Sequence, residues 1–143
     1  MRRIKRRKRK GFTMVELMAM LIIIGLLATL VATKVVDKID QARVTTTKAN
    51  LKTLHDRVND FRIENGRYPK EEEGLSVLIE APSDATNYPI GGYLETTELP
   101  KDAWGNEFVY LEWPTDDRPF VIISYGPDGK DGGDDDLWST DAL

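Results

Sequence analysis

The hydrophobic positions of the chain fall into three regimes. From Phe12 to Thr33 they are nearly continuous, 22 residues broken by a single acid, Glu16. As an α-helix rising about 1.5 Å per residue, this run extends roughly 33 Å, enough to cross a bilayer core. From Lys34 to Asn65 the apolar positions become periodic. There is no Pro or Gly, and Ile39, Ala42, Leu51, Leu54, Val58 and Phe61 recur among charged neighbours. The spacing 51, 54, 58, 61 marks one apolar stripe on a helix. Gly66 suits a left-handed C-cap, and Pro69 lies just beyond it. The pattern therefore predicts one helix over about 13–65, roughly 80 Å long. A compact domain cannot cover that length, so the first half must meet lipid or other copies of the chain.

The third regime, residues 66–143, is short-range. "KEEEGLSVLIEAP" predicts a short helix with Leu75, Leu78 and Ile79 on its apolar face and Pro82 as its stop. "NYPIGGYL" and "LPKDAWGNE" are turn-rich. "EFVYLE" (107–112) and "PFVIISY" (119–125) are β-rich runs joined by "WPTDDR", a hairpin with a longer loop. Packing its apolar face on the 51/54/58/61 stripe gives an α+β fold: a long N-terminal helix whose second half carries a small antiparallel β-sheet head. No internal repeat is present.

Charge sharpens the topology. The formal net charge of −4 conceals segregation, because eight of the first ten residues are Lys or Arg. The remainder holds 12 basic and 24 acidic residues, a net charge of −12. A basic block abutting an apolar run fits the positive-inside rule better than a nucleic-acid arm, and an acidic head argues against nucleic acid as a partner. The N-terminus is expected inside and the head outside. Leu17 to Thr33, 17 uncharged residues, exceeds the roughly 7–15 of a cleaved h-region, and "LATLVATKV" offers no small-x-small cleavage site. With no cysteine, a disulfide framework and a thiolate metal site are both excluded. A small exported domain then calls for another staple, such as a metal or oligomerisation.

Two stretches carry chemistry. In "KGFTMVE", a cut after Gly11 would remove the basic leader and free an amine on Phe12, one helical turn before Glu16. That pairs opposite charges in an apolar setting, where an unpaired acid costs a few kcal/mol. Glu16 also sits where a helix N-terminus favours negative charge. In "SYGPDGKDGGDDDLW", five aspartates (128, 131, 134, 135, 136) lie within nine residues among four glycines. Several oxygens could converge there, and hard ligands on a flexible loop suit Ca²⁺. Zn²⁺ and copper are disfavoured, since the only His is His55 on the helix. The spacing is neither an EF-hand nor a β-roll, and on spacing alone a solvated acidic loop reads equally well. His55 is expected to be solvated or to face a partner, and Trp104 and Trp113 to be packing residues. No phosphate loop and no lysine or histidine constellation accompanies the aspartates, so an enzyme is not expected.

"GFTMVELMAMLIIIGLLATL" resembles the class III signal of type IV pilins and type II secretion pseudopilins. The resemblance implies cleavage after Gly11 by a prepilin peptidase, N-methylation of Phe12 and an assembly role for Glu16. "NGRYPKEEEGLSVL", "YLETTELPKDAWGNEFVY" and "SYGPDGKDGGDDDL" are similar to landmarks of the major-pseudopilin subfamily of type II secretion. It implies one Ca²⁺ held by the side chains of Asp128, Asp135 and Asp136 and the carbonyls of Tyr125 and Lys130, with Asp134 leaving the register ambiguous by one. Ala103 departs from the usual proline, and the segment 81–92 looks idiosyncratic.

The implied organisation is a cleaved leader (1–11), a transmembrane and filament-core helix half (12–33), an amphipathic half (34–65) and a head with a calcium loop (66–143). The implied function is a structural subunit of the type II secretion pseudopilus. It would start in the bacterial inner membrane with a periplasmic head and polymerise with its own copies. Minor pseudopilins and an inner-membrane assembly platform would be partners. A type IV pilin or competence pseudopilin is the first alternative; a monomeric, membrane-anchored calcium-binding domain is the other.

Overall fold

The computed structural model describes residues 11–115 and 117–142, without the side chains of 30–34. The expected leader, apart from Gly11, lies outside the described residues. Helix α1 runs Met14–Asn65, 52 residues, close to the expected 13–65. The chain forms two units, the second beginning at Asp40. Val35, Val36 and Ile39 are exposed, and among the described side chains of the helix the first fully buried one is Thr47.

In the first unit every large apolar side chain from Phe12 to Leu27 is 44–80% exposed. Among the described residues no helix is long and apolar enough to cross a membrane.

In the second unit α1 buries one stripe. Thr47, Leu51, Leu54, Val58 and Phe61 are all fully buried at alternating spacings of four and three. Thr47 belongs there because its hydroxyl accepts the Ala103 N–H at 3.1 Å, satisfying a loop donor from within the helix. Gly66, at φ +76, ends the helix, and its N–H returns to the Arg62 carbonyl at 2.8 Å. The predicted short helix is a 3₁₀ turn, Gly74–Leu78, and it buries Leu75, Val77 and Leu78; Ile79 is only half-buried. A 3₁₀ turn repeats every three residues rather than 3.6, which keeps Leu75 and Leu78 on one face and turns Ile79 away from it.

The sheet has three antiparallel strands in the order β1-β2-β3: β1 Val109–Thr115, β2 Arg118–Ser124 and β3 Leu137–Trp138. The hairpin is tighter than expected. "WPT" is strand, pairing continues to Thr115 opposite Arg118, and the register shifts between Glu112 and Thr115. Tyr110, Phe120 and Ile122 from the sheet join the helix stripe and the 3₁₀ turn in one core. Tyr110 donates its hydroxyl proton to the Pro69 carbonyl at 2.8 Å, anchoring β1 to the end of the helix. Arg67 fixes the next connection with forked bonds to Glu73 (2.7 and 2.9 Å) and Asp84 (2.6 and 3.1 Å). The segment 81–92 is thereby tied to the start of the head.

Two expectations about single residues change. His55 is not freely solvated: it is half-buried, with its ring 4.6 Å from that of Phe120 and Nδ1 3.3 Å from the Ser139 hydroxyl. Trp113 is not a packing residue but is 60% exposed, at φ +51. Trp104 is half-buried, as a packing role requires.

Candidate functional site

The helix start is built by reciprocal capping. Thr13 Oγ1 accepts the Glu16 N–H at 3.2 Å, and Glu16 Oε2 accepts the Thr13 N–H at 3.2 Å. This is a capping box, in which two otherwise unpaired donors of the first turn are satisfied at once. Glu16 is the acid of that first turn, where its charge meets the positive end of the helix dipole. Its carboxylate lies one turn from Phe12, whose side chain is 67% exposed. Reading Glu16 as a lone acid missed Thr13. The signal was available as T-x-x-E immediately before an apolar run. Gly11 and Phe12 precede the helix outside any regular element; nothing crowds Gly11, and Phe12 is largely exposed.

The acidic loop, residues 125–136, leaves β2 and returns as β3. Ser124 pairs with Leu137 and Ile123 with Trp138, so the loop opens and closes at one rung of the sheet. Its base is braced by a buried carboxylate. Asp102 Oδ1 accepts the N–H groups of Trp104 (3.0 Å) and Asn106 (2.8 Å), and Oδ2 accepts the Ser124 hydroxyl (2.7 Å). Asn106 in turn donates from Nδ2 to the Gly126 carbonyl at 2.8 Å. The turn "KDAWGNE" therefore holds the first residues of the loop, a support role that turn-richness alone did not reveal.

Within the loop, Asp135 is enclosed by glycines. A Cβ on Gly126 would stand 2.5 Å from the Asp135 carbonyl oxygen, and one on Gly133 would stand 2.5 Å from Asp135 Oδ1. Gly126 also sits at φ +62, so glycine is required there twice over. Asp128 Oδ1 accepts the Lys130 N–H at 2.9 Å, and Asp135 Oδ2 faces the Asp128 N–H at 3.5 Å. Asp136 Oδ2 accepts the Gly132 N–H at 3.0 Å, while its Oδ1 is buried without a hydrogen-bond partner. Tyr125 sits at the loop's entrance. Desolvation, reinforced by the charges of Asp131 and Asp136, pushes its phenol above the usual range.

Among the described residues no three carboxylate, His or Cys groups converge closely enough to hold a metal. Asp128, Asp135 and Asp136 each accept or face a backbone N–H of their own loop. The donor chemistry nevertheless fits a hard cation. Every candidate ligand is oxygen, and a buried carboxylate oxygen without a partner is costly unless a positive group meets it. Tyr125 and Lys130 lie on the first arm of the loop, before the adjacent pair Asp135 and Asp136.

A processing-type N-terminus and a helix that mounts a small antiparallel head define a class of proteins, and comparison with known proteins gives the family. Residues 6–32 match the model of the prokaryotic N-terminal methylation motif, and residues 34–140 match type II secretion system (T2SS), protein G. The chain belongs to that protein G family. It is 38% identical to the type II secretion system core protein G of Pseudomonas aeruginosa over 134 residues, 92% of each chain. It is 34% identical to the protein of the same name from Escherichia coli K12, covering 91% of this chain and 90% of that one. A crystal structure of the major pseudopilin from the type 2 secretion system of enterohaemorrhagic Escherichia coli superposes with a TM-score of 0.62 at 31% identity. The match covers 72% of this chain and 90% of that one.

Proposed function

We propose that this chain is the major structural subunit of a type II secretion pseudopilus. In this reading it starts in the inner membrane, N-terminus cytoplasmic and head periplasmic, and polymerises into a filament that helps move folded proteins across the outer membrane. The observation that carries the reading is the first half of α1. Its uniformly exposed apolar side chains need either lipid or other helices around them, and Glu16, capping the helix through Thr13, would pair with the amine that cleavage after Gly11 would create on Phe12. The run would serve first as anchor and then as filament core in a head-to-tail, non-closing assembly. Prepilin peptidase, minor pseudopilins and the assembly platform are the partners this implies, and no catalytic role falls to the chain itself. Mass spectrometry of the mature protein should find a chain beginning at methylated Phe12; an intact leader would overturn the assignment.

The acidic loop is read as a Ca²⁺ site with a structural role. Asp128, Asp135 and Asp136 would supply side-chain oxygens and Tyr125 and Lys130 carbonyls. Bound Ca²⁺ would supply positive charge for the unpartnered Asp136 oxygen. The loop's own contribution is to hold Asp135 between Gly126 and Gly133 and to tie both ends of the segment to β2 and β3.

A further inference from the structure

The three successive aspartates of the acidic loop face different surroundings. Asp135 is enclosed by Gly126 and Gly133, and Asp136 is turned inward, with Oδ1 buried. Asp134 is exposed and, among the described residues, takes part in no hydrogen bond or ion pair. It lines a cavity of about 520 Å³ between α1 and the loop, together with Asp40, Arg43, Trp104, Pro127 and Asp135. Three carboxylates there face one guanidinium. The ion pair of Arg43 is with Asp40, a turn earlier on α1, at 3.9 Å and with side chains 47% and 61% exposed. Such a surface pair holds the guanidinium weakly. The planar fork of an arginine can serve two carboxylates at once, so Asp134 has a donor within its own cavity.

We infer that Asp134 stands outside the cation set of its loop and tethers the loop to α1, with Arg43 as its partner. This rests on the calcium reading proposed above and removes its one-residue ambiguity. A ligand must turn into the loop, as Asp135 and Asp136 do, whereas Asp134 lines the cavity on the helix side. With Asp135 neutralised by a bound cation, the guanidinium loses one competing carboxylate and keeps Asp40 and Asp134. A filled loop therefore closes onto the helix through Arg43. The half-buried Trp104 on the cavity wall excludes water from one side of this pair, which strengthens its attraction. The second unit of the chain begins at Asp40, so the tether lands on its first helical turn. Occupancy of the loop is thereby expressed as order in α1 at the point where the head takes hold of it.

The test uses the full chain in detergent and two readouts: calcium titration by calorimetry, and hydrogen exchange of the α1 amides with and without calcium. The parent should bind calcium and show slower exchange over residues 40–47 when it is bound. Arg43→Gln combined with Asp134→Asn leaves the net charge unchanged, so long-range effects on the cation cancel. This double variant should bind calcium within about threefold of the parent, yet lose the calcium-dependent protection of the helix. Asp136→Ala should weaken calcium binding about tenfold or more. The charge swap Arg43→Asp with Asp134→Arg should restore protection, which a variant that merely misfolds would not do. A double variant that loses calcium as completely as Asp136→Ala makes Asp134 a ligand and overturns the tether. So does protection that survives in the double variant, or a parent that binds calcium without slowing exchange over 40–47. A parent that takes up no calcium overturns the calcium reading, and the tether with it.

Discussion

The two halves of α1 are built from one backbone conformation and opposite surface logic. Between Met14 and Leu27 the large apolar residues point in every direction and all remain exposed. Between Thr47 and Phe61 they are confined to one stripe, and that stripe is fully buried by the strands and the 3₁₀ turn. Burial of a stripe is a contract with a particular partner surface inside the same chain. Apolarity all round is a demand for a surrounding medium or for several neighbours. The second half therefore specifies the head, and the first half specifies an environment.

The largest expected effect breaks this contrast by moving one mutation between the halves. Leu54→Ala removes a fully buried side chain and should destabilise the head by about 2–5 kcal/mol, read as a lower melting temperature of the full chain in detergent. Leu21→Ala, at a position 69% exposed, should leave that melting temperature within about 0.5 kcal/mol of the parent. Equal effects from the two would show that the halves fold as one cooperative unit.

The contrast also explains how much was legible beforehand. Leu51, Leu54, Val58 and Phe61 announced their face because they are apolar at helical spacing. Thr47 completes the same stripe but was invisible, since only the Ala103 N–H makes a buried threonine favourable there. Val109 to Ser124 read correctly as a hairpin, yet "WPTDDR" read as a loop because Pro and Asp argue against strand locally. The pairing of Thr115 with Arg118 overrides that preference. His55 looked like a surface residue because its neighbours along the helix are charged, and the residues that cover it, Phe120 and Ser139, are 65 and more positions away. At the sites, Gly11, Phe12, Thr13 and Glu16 were read as a motif, while the capping role of Thr13 was not. The aspartates of the acidic loop were found as a cluster, but their orientation was not. That depends on backbone donors at Gly132 and Lys130 and on glycines at 126 and 133, features of conformation rather than of composition.

The loop offers the next test, since it belongs wholly to the head and should not report on the first half of α1. Calcium at about a hundredfold excess over its Kd should stabilise the full chain by about 2.7 kcal/mol, and EDTA should reverse the gain. Asp136→Ala, which removes the buried unpartnered oxygen, should abolish the calcium-dependent part. A melting temperature indifferent to both calcium and EDTA would leave the aspartates as a solvated loop.

The smallest effect is a pH dependence carried by the second half of α1 alone. Burial of His55 lowers its pKa, the neighbouring Asp56 opposes this, and Lys52 adds to it. The Ser139 hydroxyl already accepts the Ile122 N–H at 3.1 Å, which leaves its proton for Nδ1 of the neutral ring at 3.3 Å. A protonated ring cannot accept it. Because the unfolded chain binds this proton more readily, the contribution of neutral His55 is fully present above the unfolded value of about 6.5. It is lost as pH falls through that value toward the lower folded one. The slope in that window should not exceed about 1.4 kcal/mol per pH unit. His55→Gln should flatten the stability profile between about pH 6.5 and 5 relative to the parent, since it removes the titrating group and keeps an acceptor for Ser139. A parent profile that rises as pH falls through this window would mean that Asp56, not burial, controls the ring. The C-terminal turn at Ser139 would then be held by a charged histidine.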